Sequence, residues 1–202
     1  MIDEGYIKYR QHWIQTAPFS EQICKELALA RQWAFEAGLI GFDPVQNVGY
    51  GNISQRTQKG FLISGTQTGD FPQLNGSHFC HVDRYNLDTN ELWCQGPIKA
   101  SSEALTHAVV YAQDEYCQAV IHVHSRDLWE RLLHQIPTTD DNVPYGTPEM
   151  AYEVMRLFLG NEIHRVNAFA MAGHQDGIVT FGNSLEAAWK VLQGLISQDA
   201  ED

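Results

Sequence analysis

The stretch Ala119-Val120-Ile121-His122-Val123-His124-Ser125 constrains the fold more than any other part of the sequence. Three apolar residues run straight into two histidines one residue apart, and the Ala-Val-Ile run reads as a buried strand. Side chains alternate faces along a strand, so His122 and His124 point to one face and Val123 to the other. Two imidazoles held on one face of a sheet can share a transition metal, because the sheet has already fixed both ligands. The same pair can also be two strand histidines hydrogen-bonded in a polar patch. These residues alone leave both readings open.

The pattern on either side is one of alternating strands and helices. Residues 1–20 read as an irregular N-terminal arm ending in Thr16-Ala17-Pro18-Phe19-Ser20, with Ser20 as an N-cap. Ile23, Leu27, Ala30 and Ala34 recur at helical spacing over 21–37, and Gly38 supplies the stop. Trp33 and Phe35 read as packing residues. Val48-Gly49-Tyr50-Gly51-Asn52-Ile53-Ser54 carries glycines where a strand prefers side chains, which marks a bulge, a bend or a close backbone approach. It pairs naturally as a hairpin with Phe61-Leu62-Ile63-Ser64 across the turn Thr57-Gln58-Lys59-Gly60. Further strands are expected at 78–83 and 92–94, where His78 and His81 would face opposite sides and make a poor metal pair. Helices are expected from Ser101 or Ser102 to about Gln113, over 127–133 and over 148–159, the last with Pro148 near its first position. A strand, a polar turn and a second strand occupy 167–182. A final helix carries Leu185, Ala188, Trp189, Leu192 and Leu195 on one stripe, and 197–202 reads as a frayed tail.

At 202 residues, one domain over 1–202 is the default. No segment approaches the roughly 18 consecutive apolar residues of a membrane span, so no membrane partner is expected. The acidic start, Met1-Ile2-Asp3-Glu4-Gly5, lacks a signal-peptide pattern. Cys24, Cys80, Cys94 and Cys117 form no Cys-x-x-Cys pair, which argues against a cysteine zinc site and a disulfide framework and points to a reduced, cytoplasmic protein. A net charge of −12 with 13 dispersed basic residues argues against nucleic acid as a partner. A phosphorylated substrate would need locally placed backbone N–H groups instead of a general positive field.

A catalytic zinc-type centre takes three protein ligands and keeps one position open. His174 is the best third candidate, in a glycine-flanked turn after a buried strand, and Asp176 two residues on could face the same way. Glu103 lies where a helix begins. It is either an ordinary helix-start carboxylate favoured by the dipole or a base beside the metal, and it shares a helix face with His107. Gly65-Thr66-Gln67-Thr68-Gly69 follows a hydrophobic strand and is either a plain turn or a loop presenting N–H groups and hydroxyls to an anion.

Taken in order, these motifs resemble the class II aldolase and adducin head-domain family over about residues 21–195. Gly51-Asn52-Ile53-Ser54 matches its Gly-Asn-x-Ser loop, and Phe61-Leu62-Ile63-Ser64-Gly65-Thr66 matches the strand and loop that follow. Ser101-Ser102-Glu103 matches its Ser-Ser-Glu turn, and His122-Val123-His124 matches its metal pair. The resemblance implies an α/β fold of three layers, α/β/α, with a central mixed, largely antiparallel sheet. It implies a divalent metal, most often zinc, on His122 and His124. His174 is favoured over Asp176 as the third ligand because a third imidazole keeps the usual ligand set. It implies Glu103 as acid/base, and Gly51, Asn52, Thr66, Ser101 and Ser102 as the holders of a phosphate or another anionic group. It also implies a homo-oligomer, often a tetramer.

The expected function is a metal-dependent aldolase/epimerase-type lyase acting on a small sugar phosphate or hydroxy-carbonyl compound through a metal-stabilised enediolate. The alternatives are a non-enzymatic, adducin-head-like interaction module and a sugar-phosphate dehydratase that expels water. The presence of His122, His124 and Glu103 argues for an enzyme. No proton donor is assigned: residues 134–145 are short, and Tyr145 falls in a stretch outside the chemistry.

Overall fold

The computed structural model describes residues 6–197. In chain order these form β1 (Arg10–Gln15), α1 (Glu21–Glu36), a ribbon of β2 (Gly41–Asp43) and β3 (Val48–Tyr50), β4 (Asn52–Arg56), β5 (Phe61–Ser64), β6 (Phe79–Asn86) and β7 (Glu91–Gly96). Then come α2 (Ala104–Gln113), β8 (Ala119–His124), α3 (Arg126–Leu132), α4 (Pro148–Phe158), α5 (Glu162–Val166), β9 (Ala168–Ala170), β10 (Gly177–Gly182) and α6 (Leu185–Ser197). Among the described residues, eight strands make one sheet in the order β1-β7-β6-β5-β4-β8-β10-β9. Its pairs are antiparallel except β1 with β7, so the sheet is mixed and largely antiparallel. No helix among these residues is long and apolar enough to cross a membrane.

Helices cover both faces. On one, Leu27, Ala30 and Ala34 of α1, Leu128 and Leu132 of α3, and Leu185, Ala188, Leu192 and Leu195 of α6 pack on Ala119, Ile121 and Val123 of β8. On the other, Leu105 and Val109 of α2, Met150 and Val154 of α4 and Ile163 of α5 pack with Val120 and Val179. β8 is thus buried on both faces, which is why its start reads as a continuous apolar run. His122 and His124 share the α2 and α4 face with Val120.

Several boundaries differ from the sequence reading. The arm at 1–20 is not irregular throughout: Arg10–Gln15 is an edge strand parallel to β7. Beyond its backbone pairing with β7, side chains anchor it, with Trp13 Nε1 donating to Gly96 O (3.0 Å), Gln11 Nε2 donating to Ala100 O (3.0 Å) and the His12 ring stacked on Trp93. None of this produces a hydrophobic alternation. Residues 1–5, and the expected frayed tail beyond Ser197, lie outside the described residues. Ile23 is 57% exposed and Cys24 takes its place in the buried stripe of α1. The glycine-bearing strand at 48–54 is cut in two at Gly51, whose φ of +72° sends β3 to pair with β2 and β4 into the main sheet. A side chain there would also strike Ile40 and the His122 carbonyl. α2 starts at Ala104, with Glu103 as its N-cap residue, and α5 was not expected at all.

A polar group is built into the core beside β8. Ser54 Oγ lies 2.7 Å from His107 Nδ1 and 2.8 Å from the Tyr111 hydroxyl, all three residues buried. Burial pushes the pKa of His107 down to about 3. The folded protein therefore keeps His107 neutral while the unfolded chain protonates it below about 6.5. Between those values the unfolded state binds the extra proton, so this contribution is intact above about pH 6.5 and lost as pH falls. Urea unfolding of the metal-free protein should show a His107-linked loss of about 1.4 kcal/mol at pH 5.5 relative to pH 7.5. The His107→Gln variant should lack that increment.

Candidate functional site

The register of β8 sets the site. His122 lies opposite Asn52 of β4 on one side and Val179 of β10 on the other, and His124 lies opposite Gly177. The turn from β9 to β10 brings up His174, closed by His174 N donating to Met171 O (3.1 Å) and Gly177 N donating to His174 O (3.0 Å). The ring centroids of His122, His124 and His174 are 4.7 to 5.1 Å apart, and one ligand atom from each lies within 4.8 Å of the others. His122 is 1% and His174 3% exposed. Burial first, then the imidazoles of His124, His174 and His107, hold the pKa of His122 well below its ordinary value. It is neutral near pH 7, as a metal ligand must be.

Three observations test whether a metal suits this place. The buried His122 Nε2 has no hydrogen-bond partner among the described residues. A Cβ on Gly177 would sit 3.3 Å from both His122 Nε2 and His174 Nδ1, so the missing side chain leaves room where the rings converge. Three imidazoles are also a donor set suited to zinc and its neighbours. The residues fit such an ion. Asp176, the other candidate for third ligand, is turned elsewhere: its carboxylate lies 3.6 Å from Arg126 Nε, and its carbonyl accepts from Ser125 N (2.9 Å).

Glu103 is 2% exposed and makes no capping bond to its own helix. Its Oε2 accepts from Thr106 Oγ1 (3.1 Å), and Oε1 lies 3.8 Å from His174 Nδ1. The carboxylate is thus aimed at the imidazoles instead of serving the helix dipole. Gly51, Asn52, Thr66, Ser101 and Ser102 line one cleft together with Glu103, His122 and His174. His124 opens instead on an adjoining cavity of about 480 Å³, shared with Tyr50, Arg126 and Asp176. Each candidate metal ligand, base and anion-holding residue therefore reaches one of two adjacent spaces that meet at the imidazoles.

Three contributors lie outside the sequence-based expectation. Tyr145, set aside there, stacks on His174 with centroids 4.5 Å apart, and its hydroxyl accepts from Tyr6 N (3.1 Å) while Lys8 Nζ lies 3.8 Å from its ring centroid. The Tyr9 hydroxyl donates to Ser101 O, so the N-terminal segment is fastened to the site's edge. Arg31 of α1 is 1% exposed, and its Nη2 donates to Thr68 O (2.9 Å) and Gly69 O (3.1 Å). Its Nη1 donates to Pro72 O (3.3 Å) and to Phe71 O. A planar trans peptide directs its N–H opposite its C=O, so the Thr68 and Gly69 carbonyls turned to Arg31 turn the Gly69 and Asp70 amides away from it. Burial lowers the Arg31 pKa to about 10, which leaves it charged at neutral pH. The available signal was a lone arginine on the apolar stripe of α1, one turn after Leu27. Arg31→Met should cost about 3 kcal/mol in urea unfolding, since it strands the buried carbonyls of Thr68 and Gly69, and Arg31→Lys should recover part of that.

The sequence matches the class II aldolase and adducin N-terminal domain over residues 41–196. Comparison with curated proteins gives no match. Among solved structures, YgbL from Klebsiella pneumoniae, described as a candidate aldolase/epimerase/decarboxylase, superposes with a TM-score of 0.64 at 23% identity, covering 88% of this chain and 86% of that one. L-fuculose-1-phosphate aldolase from Thermus thermophilus gives 0.59 at 18% identity, covering 90% and 98%. A sugar-phosphate aldolase from Thermotoga maritima gives 0.61 at 16% identity, covering 90% and 97%. At these identities the likeness carries the fold, and the chemistry has to be argued from the site.

Proposed function

Because this chain belongs to the class II aldolase and adducin N-terminal domain family, we propose that it is a metal-dependent aldolase/epimerase-type lyase whose substrate is a small sugar phosphate or hydroxy-carbonyl compound. The observation that carries this reading is the Glu103 carboxylate, buried 3.8 Å from His174 Nδ1 at the edge of three converging imidazoles. An interaction module has no use for a desolvated carboxylate beside such a cluster.

His122, His124 and His174 would hold a divalent metal, zinc in this reading, with a coordination position left for substrate. Such an ion supplies Lewis-acid polarisation of a substrate carbonyl. Glu103 would accept the proton from the carbon next to a bound carbonyl, and the electron pair left behind would make the enediolate. The Thr106 hydroxyl on Oε2 holds the carboxylate plane, which leaves Oε1 on the imidazole side. Gly51, Asn52, Thr66, Ser101 and Ser102 would receive the anionic group through amide and hydroxyl donors. A cleft of this kind needs no lysine cluster, in keeping with a net charge of −12. The homo-oligomer that the family resemblance implies belongs to the same proposal.

Proton abstraction is common to cleavage and epimerisation, so deuterium uptake tests the reading before the final product is known. The wild-type protein with stoichiometric zinc, incubated in D2O with a panel of ketose and aldose phosphates, should exchange the proton adjacent to the carbonyl of at least one. Glu103→Gln should keep its zinc and lose exchange by about 10²- to 10⁴-fold. Undiminished exchange in Glu103→Gln, or a wild-type protein that takes up no metal, would count against the proposal.

A further inference from the structure

Asn52 touches both halves of the site. Its Nδ2 lies 3.2 Å from Nδ1 of His122, its register partner on β8, and its side chain lines the cleft with Gly51, Thr66 and Ser101. Two buried atoms at this contact have no hydrogen-bond partner among the described residues, Asn52 Oδ1 and His122 Nε2. With Nδ2 against the ring, Nδ1 must be the acceptor, and a neutral His122 then carries its proton on Nε2. Yet Nε2 is the nitrogen that converges with His174 Nδ1 over Gly177. A ligating nitrogen needs its lone pair, so this arrangement puts the proton on the wrong side of the ring.

The two ends of an asparagine amide have nearly the same shape, and a half-turn about Cβ–Cγ exchanges them without moving a neighbour. After that turn Oδ1 accepts from Nδ1–H, Nε2 presents its lone pair, and Nδ2 brings two protons to the position Oδ1 had held. We propose that Asn52 is a positioning residue for His122. Its Oδ1 fixes the imidazole in the tautomer whose Nε2 ligates, while its Nδ2 donates to the anionic group in the cleft. One side chain thereby ties the ligand orientation to the anion subsite. This inference rests on the reading of His122, His124 and His174 as a metal centre. It adds a requirement of its own, since the partner of a ligating imidazole's second nitrogen must accept a hydrogen bond.

The test compares wild type, Asn52→Asp and Asn52→Leu. Zinc affinity is measured by competition with a chromophoric chelator, and the His122 tautomer by long-range ¹H–¹⁵N NMR on histidine-labelled protein. Aspartate keeps the acceptor, so Asn52→Asp should hold zinc within about threefold of wild type, whereas Asn52→Leu should bind it about 10- to 100-fold more weakly. Inorganic phosphate binding by the zinc-loaded protein should fall in Asn52→Asp, which has lost the donor and added a charge. Zinc-loaded wild type should show His122 protonated at Nδ1. Wild-type zinc affinity in Asn52→Leu, or an equal loss in both variants, overturns the proposal while leaving the metal centre standing. A proton on Nε2 in the zinc-loaded wild type does the same, and it does not depend on either variant folding. A wild type that binds no zinc overturns both.

Discussion

The site depends on one constraint, the antiparallel pairing of β8 between β4 and β10. That register sets His122 against Asn52 and His124 against Gly177. A slip of one residue would turn both histidines to the face covered by α1 and α6 and bring Ile121 and Val123 into the cleft. The penalty is built in, because β8 is apolar apart from its two histidines and both of its faces are covered. Helix packing thus holds the strand that carries two of the imidazoles.

Glycines do the local work that side chains could not. Gly51 turns the chain through a left-handed conformation and so delivers Asn52 to its place beside His122, and Gly177 keeps the convergence point of the rings open. Both act by what they lack. The cleft is lined by glycines and by hydroxyl and amide side chains, and among the described residues the deeply buried Arg31 works from behind it through four carbonyls. A charge placed there orients peptide dipoles without entering the cleft itself.

The buried polar groups differ in what their desolvation implies. His107 is satisfied on one side by Ser54, sits behind the cleft and titrates far below neutrality. His122 is also held below its ordinary value by burial, but it faces two other imidazoles. Glu103 is desolvated with its second oxygen toward that group. The same physics of burial therefore makes a structural histidine in one place and a candidate ligand and base in the other, and only neighbouring geometry separates them.

Much of this was legible in the sequence, because strand alternation and helical recurrence are local properties. The spacing of His122 and His124 dictates a shared face, the apolar run before them dictates burial, and the stripes of α1 and α6 follow from their period. Ile23 misled because a period locates a face only to within a residue. What local pattern could not contain was decided by tertiary contact. β1 is held by side-chain bonds to residues some eighty positions away, and Arg31 takes its meaning from carbonyls about forty residues on. Tyr145 meets His174 only because the loop before α4 folds over the turn between β9 and β10. His174 and Asp176 are equally able as ligands on paper. The turn into β10, with Asp176 at a φ of +67°, sends the imidazole inward and the carboxylate toward Arg126. The sequence by itself determined which groups were available and which faces they shared. The closing of distant segments on one another decided which groups meet, because that geometry is set by long-range pairing and packing, and no local period encodes it.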